Sequence, residues 1–327
     1  MSRKLRKEEE KFKQLKEEEE EVEDKYEVQM RRIYSPLVWH KTESGFSFQD
    51  LKEDHFNEVI QMFQEHYVYN EVLCKNTELY NDKVSMDSYA ERMMFYLKDG
   101  HSIMVVDKNY KEEIEEGEEE EEKENTEETK QKKKKKKEDE KIKIVAALIL
   151  RVIHRNDYAR VFSRVQLVEG EAMKKCIAFK NFVNRKVDVF AKFDCDSILR
   201  FYDICILPEY RNRGLSLVLA KCGLNVARAM KVPVVMGVFS DFRMQKLAKK
   251  VGMETLYEMN YVDWRDPDGE MIFDDPGAGN YTLALMAGLV SILPPEPPKP
   301  KPEEEAPKKP PKITRAEKRA LLEKMKT

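Results

Sequence analysis

FYDICILPEYRNRGLSLVLAKCGLNVARAM, residues 201–230, holds three signals in succession. The apolar run Ile204, Cys205, Ile206, Leu207 reads as a buried strand that stops at Pro208. A long amphipathic helix is expected over about Leu215–Met230. Between them, Arg211-Asn212-Arg213-Gly214-Leu215-Ser216 forms the turn. Unpaired N–H groups at a helix start, beside a glycine that lets an anion approach the backbone, make a phosphate cradle. Arg211 and Arg213 add positive charge there, and Ser216 is the small residue two positions after Gly214. The turn is not a Walker A loop, because no Gly-Lys-Ser/Thr follows, and G-x-G-x-x-G is absent.

Outward from this unit the chain alternates strands and helices. A strand near Phe46–Phe48 precedes a helix from about Asp54 to His66, with Phe56, Val59, Ile60 and Phe63 at helical spacing. A second helix is expected at Ser85–Leu97, closed by Asp99-Gly100. Strand-like segments at 101–108 and 143–153 follow, then a helix near Gly170–Val183 and a strand at Ile198–Leu207. After the 201–230 unit come a strand at Pro233–Phe239, a helix at Phe242–Val251, and strands near Glu254–Val262 and Tyr281–Met286. Strand–helix–strand order implies parallel pairing and the hairpins imply antiparallel edges, so the fold class is mixed α/β.

The motif Arg211-x-x-Gly214-x-Ser216 between strand and helix resembles the acetyl-CoA pyrophosphate loop of the GCN5-related N-acetyltransferases, with Ser in place of Gly or Ala. The segment KVPVVMGVFSDFRMQKLAKKVGMETLYEMNYVDW, residues 231–264, resembles the family's next strand, helix and Gly-Phe turn, here Gly252-Met253. Gly269-Glu270 before Met271-Ile272-Phe273, and the closing strand YTLALMAGLV at 281–290, are most similar to the insect arylalkylamine (dopamine) branch. The resemblance spans roughly Phe46 to Val290 apart from one charged insert. It implies a mixed, mostly antiparallel sheet flanked by helices, with two central strands splayed apart. It further implies acetyl-CoA as co-substrate. Pantetheine would pair with backbone groups of the strand holding Ile204 and Ile206, and the N–H groups of Arg213, Gly214, Leu215 and Ser216 would hold the pyrophosphate.

The same resemblance implies a catalytic pair. Acetyl transfer to an amine needs a neutral nitrogen, although a free alkylamine has a pKa near 10. A carboxylate accepts the proton. In the insect branch a glutamate of an aromatic–acidic–Glu-Pro-Leu motif does so. The matching stretch is His66-Tyr67-Val68-Tyr69-Asn70-Glu71-Val72-Leu73, which aligns Glu71 with the base. From the residues alone Glu71 reads as an ordinary exposed loop glutamate; the base role comes from the resemblance. Ser240 matches the first of two serines linked to proton transfer. Met244 occupies the second serine's position, and Ala248 the position of the tyrosine that protonates the thiolate in many other acetyltransferases. Water is then the available acid. Tyr67, Tyr69 and Trp39 are candidates for an apolar wall around an aromatic amine, or for ordinary core. Arg243 and Lys246 are candidates for a CoA 3′-phosphate contact, or plain surface charges.

Composition bounds the alternatives. The chain has 327 residues, with 59 Lys+Arg, 62 Asp+Glu, a formal charge of −3 and a 37% charged fraction, against roughly 25% for an ordinary soluble domain. The near-zero net charge argues against nucleic acid as a partner. With no apolar run of 18 residues and no apolar signal core, no membrane association is expected. A cytoplasmic location follows, the nucleus being the alternative because of the lysine run 132–137. Five scattered cysteines suit a reducing compartment, Cys205 and Cys222 read as core, and no metal site is expected.

The charge excess sits in blocks. Residues 1–33 read as a solvated charged helix or a weak coiled coil, with Leu5, Phe12, Tyr26 and Ile33 on one heptad position. An acetyltransferase-like domain is expected over 34–293. Within it, the insert of about 109–141 carries twelve glutamates between Glu112 and Glu128 ahead of the lysines, and reads as a disordered loop in a hairpin. Residues 294–327 form a Pro/Lys-rich tail with a short terminal helix. The primary expectation is an acetyl-CoA-dependent N-acyltransferase acting on a small primary amine, a small-molecule acceptor for which the resemblance implies an arylalkylamine. The rival is a catalytically degenerate acetyltransferase fold serving as an interaction scaffold, with protein partners for the charged N-terminal helix and the C-terminal tail.

Overall fold

The structure, a computed structural model, describes Arg32 and residues 35–110, 142–157 and 168–290. The expected N-terminal helix, the acidic–basic insert and the Pro/Lys tail lie almost wholly outside the described residues. Eight strands form one sheet in the order β1-β2-β3-β4-β5-β6-β8-β7. They are β1 Val38–Lys41, β2 Phe46–Asp50, β3 Ile103–Asp107, β4 Lys143–His154, β5 Ser197–Ile206, β6 Val234–Phe239, β7 Glu254–Asn260 and β8 Thr282–Leu289. All neighbours pair antiparallel except β5 and β6. The insert's flanks, β3 and β4, are antiparallel neighbours in register from Asp107↔Lys143, so the charged segment interrupts a hairpin as expected.

Helices cover both faces. On one lie α1 Phe56–Met62, prolonged by a wide π turn at Phe63–Tyr67, then α2 Val72–Asn76, α3 Lys83–Leu97, α4 Glu171–Asn184 and α5 Val189–Phe193. They share one apolar core with Ile149, Cys205, Val234 and Leu285. On the other face, α6 Leu215–Ala229 and α7 Phe242–Lys250 pack with Phe48, Leu148, Phe201 and Met286. The buried stripe Leu215, Leu219, Cys222, Val226 explains why α6 forms and which way it turns. Gly223 in that stripe admits close contact: a Cβ there would lie 2.5 Å from the Phe201 ring.

Two irregularities at β5 create an opening in the sheet. Its parallel pairing with β6 runs only from Ile198↔Val234 to Phe201↔Gly237. Beyond that, β5 stays with β4 as far as Ala146↔Ile206, while β6 stays with β8 to Phe239↔Ala284. The two central strands therefore diverge. Just where they part, the β4–β5 register steps from Leu150↔Phe201 to Leu148↔Ile204, so Tyr202 and Asp203 together oppose Ile149. This bulge breaks the side-chain alternation. Phe201 and Ile204 belong to the α6 face, whereas Tyr202 and Cys205 belong to the other.

Arg32 lies in the segment set apart from the sequence as an N-terminal extension, yet it is buried in the domain. Its guanidinium bonds Asp50 through Nη2 at 2.7 Å and Nε at 3.1 Å, and donates to the Gly100 carbonyl. Asp50 also accepts from Trp39 Nε1 and Leu37 N–H. Burial, with Arg32 alongside, holds the His101 imidazole down at about 4.

Candidate active site

One half of the site is the turn from β5 into α6. Asn212 and Gly214 take positive φ values of 61° and 78°, which reverses the chain and aims the helix start outward. The N–H groups of residues 212–216 make no backbone hydrogen bond, whereas Arg211 N–H is bonded to the Pro208 carbonyl. No atom lies within 4 Å of where a Gly214 Cβ would sit. Gly214 therefore serves the backbone conformation and leaves open space above it; it does not relieve an internal clash. The arginines hold the loop's shape: Arg211 Nε donates to the Ile206 carbonyl at 3.1 Å, and Arg213 donates to the Glu209 carbonyl and lies over the Tyr210 ring.

The loop opens beside the splay. Leu207 N–H donates to the Val145 carbonyl. By antiparallel alternation Cys205 also turns its backbone groups to β4, and Ile204 and Ile206 turn theirs into the gap toward β6. The Arg211 bond to the Ile206 carbonyl agrees with that orientation. An extended amide-bearing ligand would find the backbone groups of Ile204 and the Ile206 N–H here, the Ile206 carbonyl being held by Arg211, and the row ends at a cluster of free N–H groups.

The other half lies on the opposite face of the sheet. Glu71 caps the short helix α2, its Oε2 accepting from Cys74 N–H at 2.8 Å. It is not an exposed loop residue, being only 7% accessible. Ser240, immediately after β6, donates from Oγ to Glu71 Oε1 at 2.6 Å, and its carbonyl accepts from Tyr261 OH. Lys180 on α4 places Nζ 3.8 Å from Glu71 Oε1 and 3.7 Å from Asp203 Oδ1. Tyr67 OH donates to that same Asp203 oxygen at 2.6 Å.

Electrostatics fix the charge states. Burial would raise the Glu71 pKa, but the Lys180 ammonium and the bonds from Ser240 and Cys74 outweigh it, so Glu71 stays below the usual carboxylate range. Lys180, although buried, is held protonated by Glu71 and Asp203. Burial and Asp203 push the Tyr67 phenol well up, so it remains a donor. The thiols stay protonated: burial pushes Cys205 up to about 12 and Cys222 to about 11. They are core residues. The site thus offers a carboxylate proton acceptor, oriented by a serine hydroxyl, at the edge of a sheet opening.

The expected residues fall into two groups that the fold assembles. Glu71 and Ser240, distant in sequence, are bonded to each other, and Ile204, Ile206, Arg211, Arg213, Gly214, Leu215 and Ser216 form the splay and turn. Lys180, Asp203 and Tyr67's bond were not found from sequence. A signal for the first existed, because Lys180 falls on the α4 positions that otherwise carry Met173, Cys176 and Ile177. Of the expected apolar wall only Tyr67 is at the site. Tyr69 is exposed and stacks on Tyr80. Trp39 stands on the outermost strand β1, with three strands between it and β5, bonded to Asp50 because that buried carboxylate needs donors. Arg243 and Lys246 lie over the Phe242 ring on α7. Among the described residues no group of three or more His, Cys, Asp or Glu is placed to hold a metal ion, and no helix is long and apolar enough to cross a membrane.

No protein-family model matches the chain, and no curated sequence does. Solved structures do. An insect arylalkylamine N-acetyltransferase candidate of the yellow fever mosquito superposes with a TM-score of 0.61 at 18% identity, over 78% of this chain and 95% of its own. Arylalkylamine N-acetyltransferase 2 of Aedes aegypti gives 0.59 at 19% identity, over 75% and 99%. The polyamine N-acetyltransferase of Drosophila melanogaster, described as forming N-acetylagmatine, gives 0.55 at 14% identity, over 74% and 98%. The chain has the fold of the GCN5-related N-acetyltransferases, with its mixed, mostly antiparallel sheet.

Proposed function

We propose that the chain is an acetyl-CoA-dependent N-acyltransferase that acetylates a small primary amine. The observation that carries this reading is the 2.6 Å bond between Ser240 Oγ and Glu71 Oε1, which joins a serine at the end of the splayed strand β6 to a buried carboxylate. The cradle fits the co-substrate: free N–H groups at 212–216, space above Gly214, and the backbone of Ile204 and Ile206 facing the gap. Acetyl-CoA would supply an activated acyl thioester. The N–H groups of Arg213, Gly214, Leu215 and Ser216 would hold its pyrophosphate, and Ile204 and Ile206 its pantetheine amides.

Glu71 then accepts the proton that the acceptor nitrogen loses as the C–N bond forms, directly or through one water. Ser240 fixes the direction of the accepting oxygen. Lys180 keeps Glu71 ionised, so the base is in its competent form at neutral pH. Glu71→Gln can keep the cap with its amide oxygen toward Cys74 N–H while its NH2 donates to Ser240 Oγ in place of the native bond, but it cannot take a proton. Its expected effect is a fall in kcat of about 10²-fold, with acetyl-CoA binding unchanged, measured as acetyl transfer to a panel of primary amines. Equal rates for the variant and the parent would remove Glu71 from the mechanism.

Met244 and Ala248 stand where a hydroxyl would protonate the leaving thiolate, and they favour a second reading, a fold kept for interaction. The two separate cleanly, because the scaffold reading predicts a folded chain with no turnover on any amine.

A further inference from the structure

A cavity opens under the bulge of β5, between α3 and α4, and reaches Phe201 and Val238 where the central strands part. Lys180 is in its wall, so on the acyltransferase reading the acceptor sits here. Among the described residues that line it, Asp203 is the one carboxylate, and Glu71 stands across Lys180 from it. The Lys180 Nζ lies 3.8 Å from Glu71 Oε1 and 3.7 Å from Asp203 Oδ1, so one ammonium spans both acids. Tyr67 OH donates to the same Asp203 oxygen at 2.6 Å, and Ser240 Oγ and Cys74 N–H take up further positions on Glu71. The remaining charged groups of the lining, Arg92 and Arg200, are cations.

Two carboxylates converging on one point make a seat for an ammonium group, and here the chain fills that seat itself. Lys180 is anchored on α4, and a tethered group competes at an effective concentration of about millimolar or more. Glu71 and Asp203 together hold it protonated, so it does not vacate the seat by losing its charge. A second ammonium carried into the cavity by a diamine therefore meets Lys180 and no free carboxylate. Like charges at this range repel, and a cation that leaves water without a partner is costly. An acceptor with one amine escapes the penalty, because its nitrogen gives up its proton before attack and its far end carries no charge. Met93, Met173, Ile177 and Val238 in the lining suit such an uncharged end.

From the place of Lys180 between Glu71 and Asp203 we infer that this residue selects the acceptor: it admits amines with a single cationic centre and excludes diamines and polyamines, by occupying the seat that a second ammonium would need. The inference rests on the acyltransferase reading for the acceptor's presence in this cavity; the preference for one charge over two is measured without turnover.

The test is calorimetric binding to the full chain, with and without acetyl-CoA, of two pairs that carry either a hydroxyl or an ammonium at the far end: aminopentanol against cadaverine, and tyramine against its analogue with an aminomethyl group in place of the hydroxyl. In at least one pair the hydroxyl member should bind about tenfold more tightly. Lys180→Ala should reverse that order, because the second ammonium of the diamine takes the vacated seat, whereas Lys180→Arg should keep the parent's order. Where the alanine variant is too unstable to titrate, propylammonium chloride should raise its melting temperature more than potassium chloride at equal ionic strength. The same shift from both salts overturns the inference. So do equal or tighter binding of the diamines by the parent chain, an unreversed order in Lys180→Ala, and absence of binding by all four compounds. A chain that shows the preference and its reversal without binding acetyl-CoA would sink the acyltransferase reading and leave the seat standing. Acetylation of the diamines as fast as their hydroxyl counterparts does the reverse.

Discussion

Glu71 is held ionised by a lysine, which sets an unusual pH response. Because its folded pKa is depressed, its carboxylate stabilises the fold above the unfolded value of about 4.3, and that contribution is lost as pH falls through the lower folded value. The acid limb of activity should therefore follow the ionisation of the acceptor amine, not that of Glu71. Lys180→Met reverses this, since burial then acts on Glu71 without an opposing cation. The expected result is a second acid limb at higher pH in the kcat/KM profile, together with a loss of stability of about 3–5 kcal/mol for stranding buried carboxylates. An unshifted profile would show that Lys180 does not tune Glu71. Of this, the sequence carried only the resemblance that pointed to Glu71 and Ser240 and the place of Lys180 on the buried face of α4. The contact between Glu71 and Ser240 spans 169 positions, and no local pattern marks Lys180 as facing two acids.

At the scale of elements, legibility followed local signals. β5, its turn and α6 are readable because an apolar run, a glycine and a buried stripe succeed one another in one stretch. The short helix α2 is not. Its five residues have no periodicity to detect, and it exists because Glu71 caps it and Leu73 and Cys74 are buried by the neighbouring helices. β1 is missed for a related reason, as an outermost strand of four mostly exposed residues. The bulge at Tyr202-Asp203 looks in sequence like a polar interruption of an apolar strand, yet it is what sends Asp203 to Tyr67 and Lys180. The packing of α6 on that strand can be tested at Gly223, where any side chain meets Phe201 and Leu148. Gly223→Leu should lower the denaturation midpoint by about 1–3 kcal/mol equivalent through overpacking, and should weaken acetyl-CoA binding by shifting Phe201 at the root of the splay. A midpoint equal to the parent's would show that helix and sheet have slack there.

For the whole molecule, the question is how the highly charged segments attach to the folded part. Arg32 shows that the attachment begins before residue 34. It is 4% accessible and paired with Asp50, itself 1% accessible. Arg32→Met leaves a buried carboxylate without its cation, with an expected cost of about 3–5 kcal/mol in chemical denaturation, and Asp50→Asn should recover part of it. In contrast, replacing residues 111–141 by a short turn should leave the melting temperature unchanged or raised, because β3 and β4 are already in register at Asp107↔Lys143 and a shorter closure costs less entropy. A large fall would mean that the insert contributes contacts to the fold.

Acetyl-CoA recognition by the β5–α6 turn underlies every step proposed for this chain, and calorimetric titration of acetyl-CoA into the full chain and into Gly214→Val measures it most directly. One co-substrate should bind per chain with micromolar affinity, corresponding to about −8 kcal/mol. The valine, forced to φ near +78° and filling the open space above the loop, should weaken it at least about tenfold without changing the far-ultraviolet spectrum. Absence of binding by the folded parent chain, or equal affinity for the variant, would contradict the account.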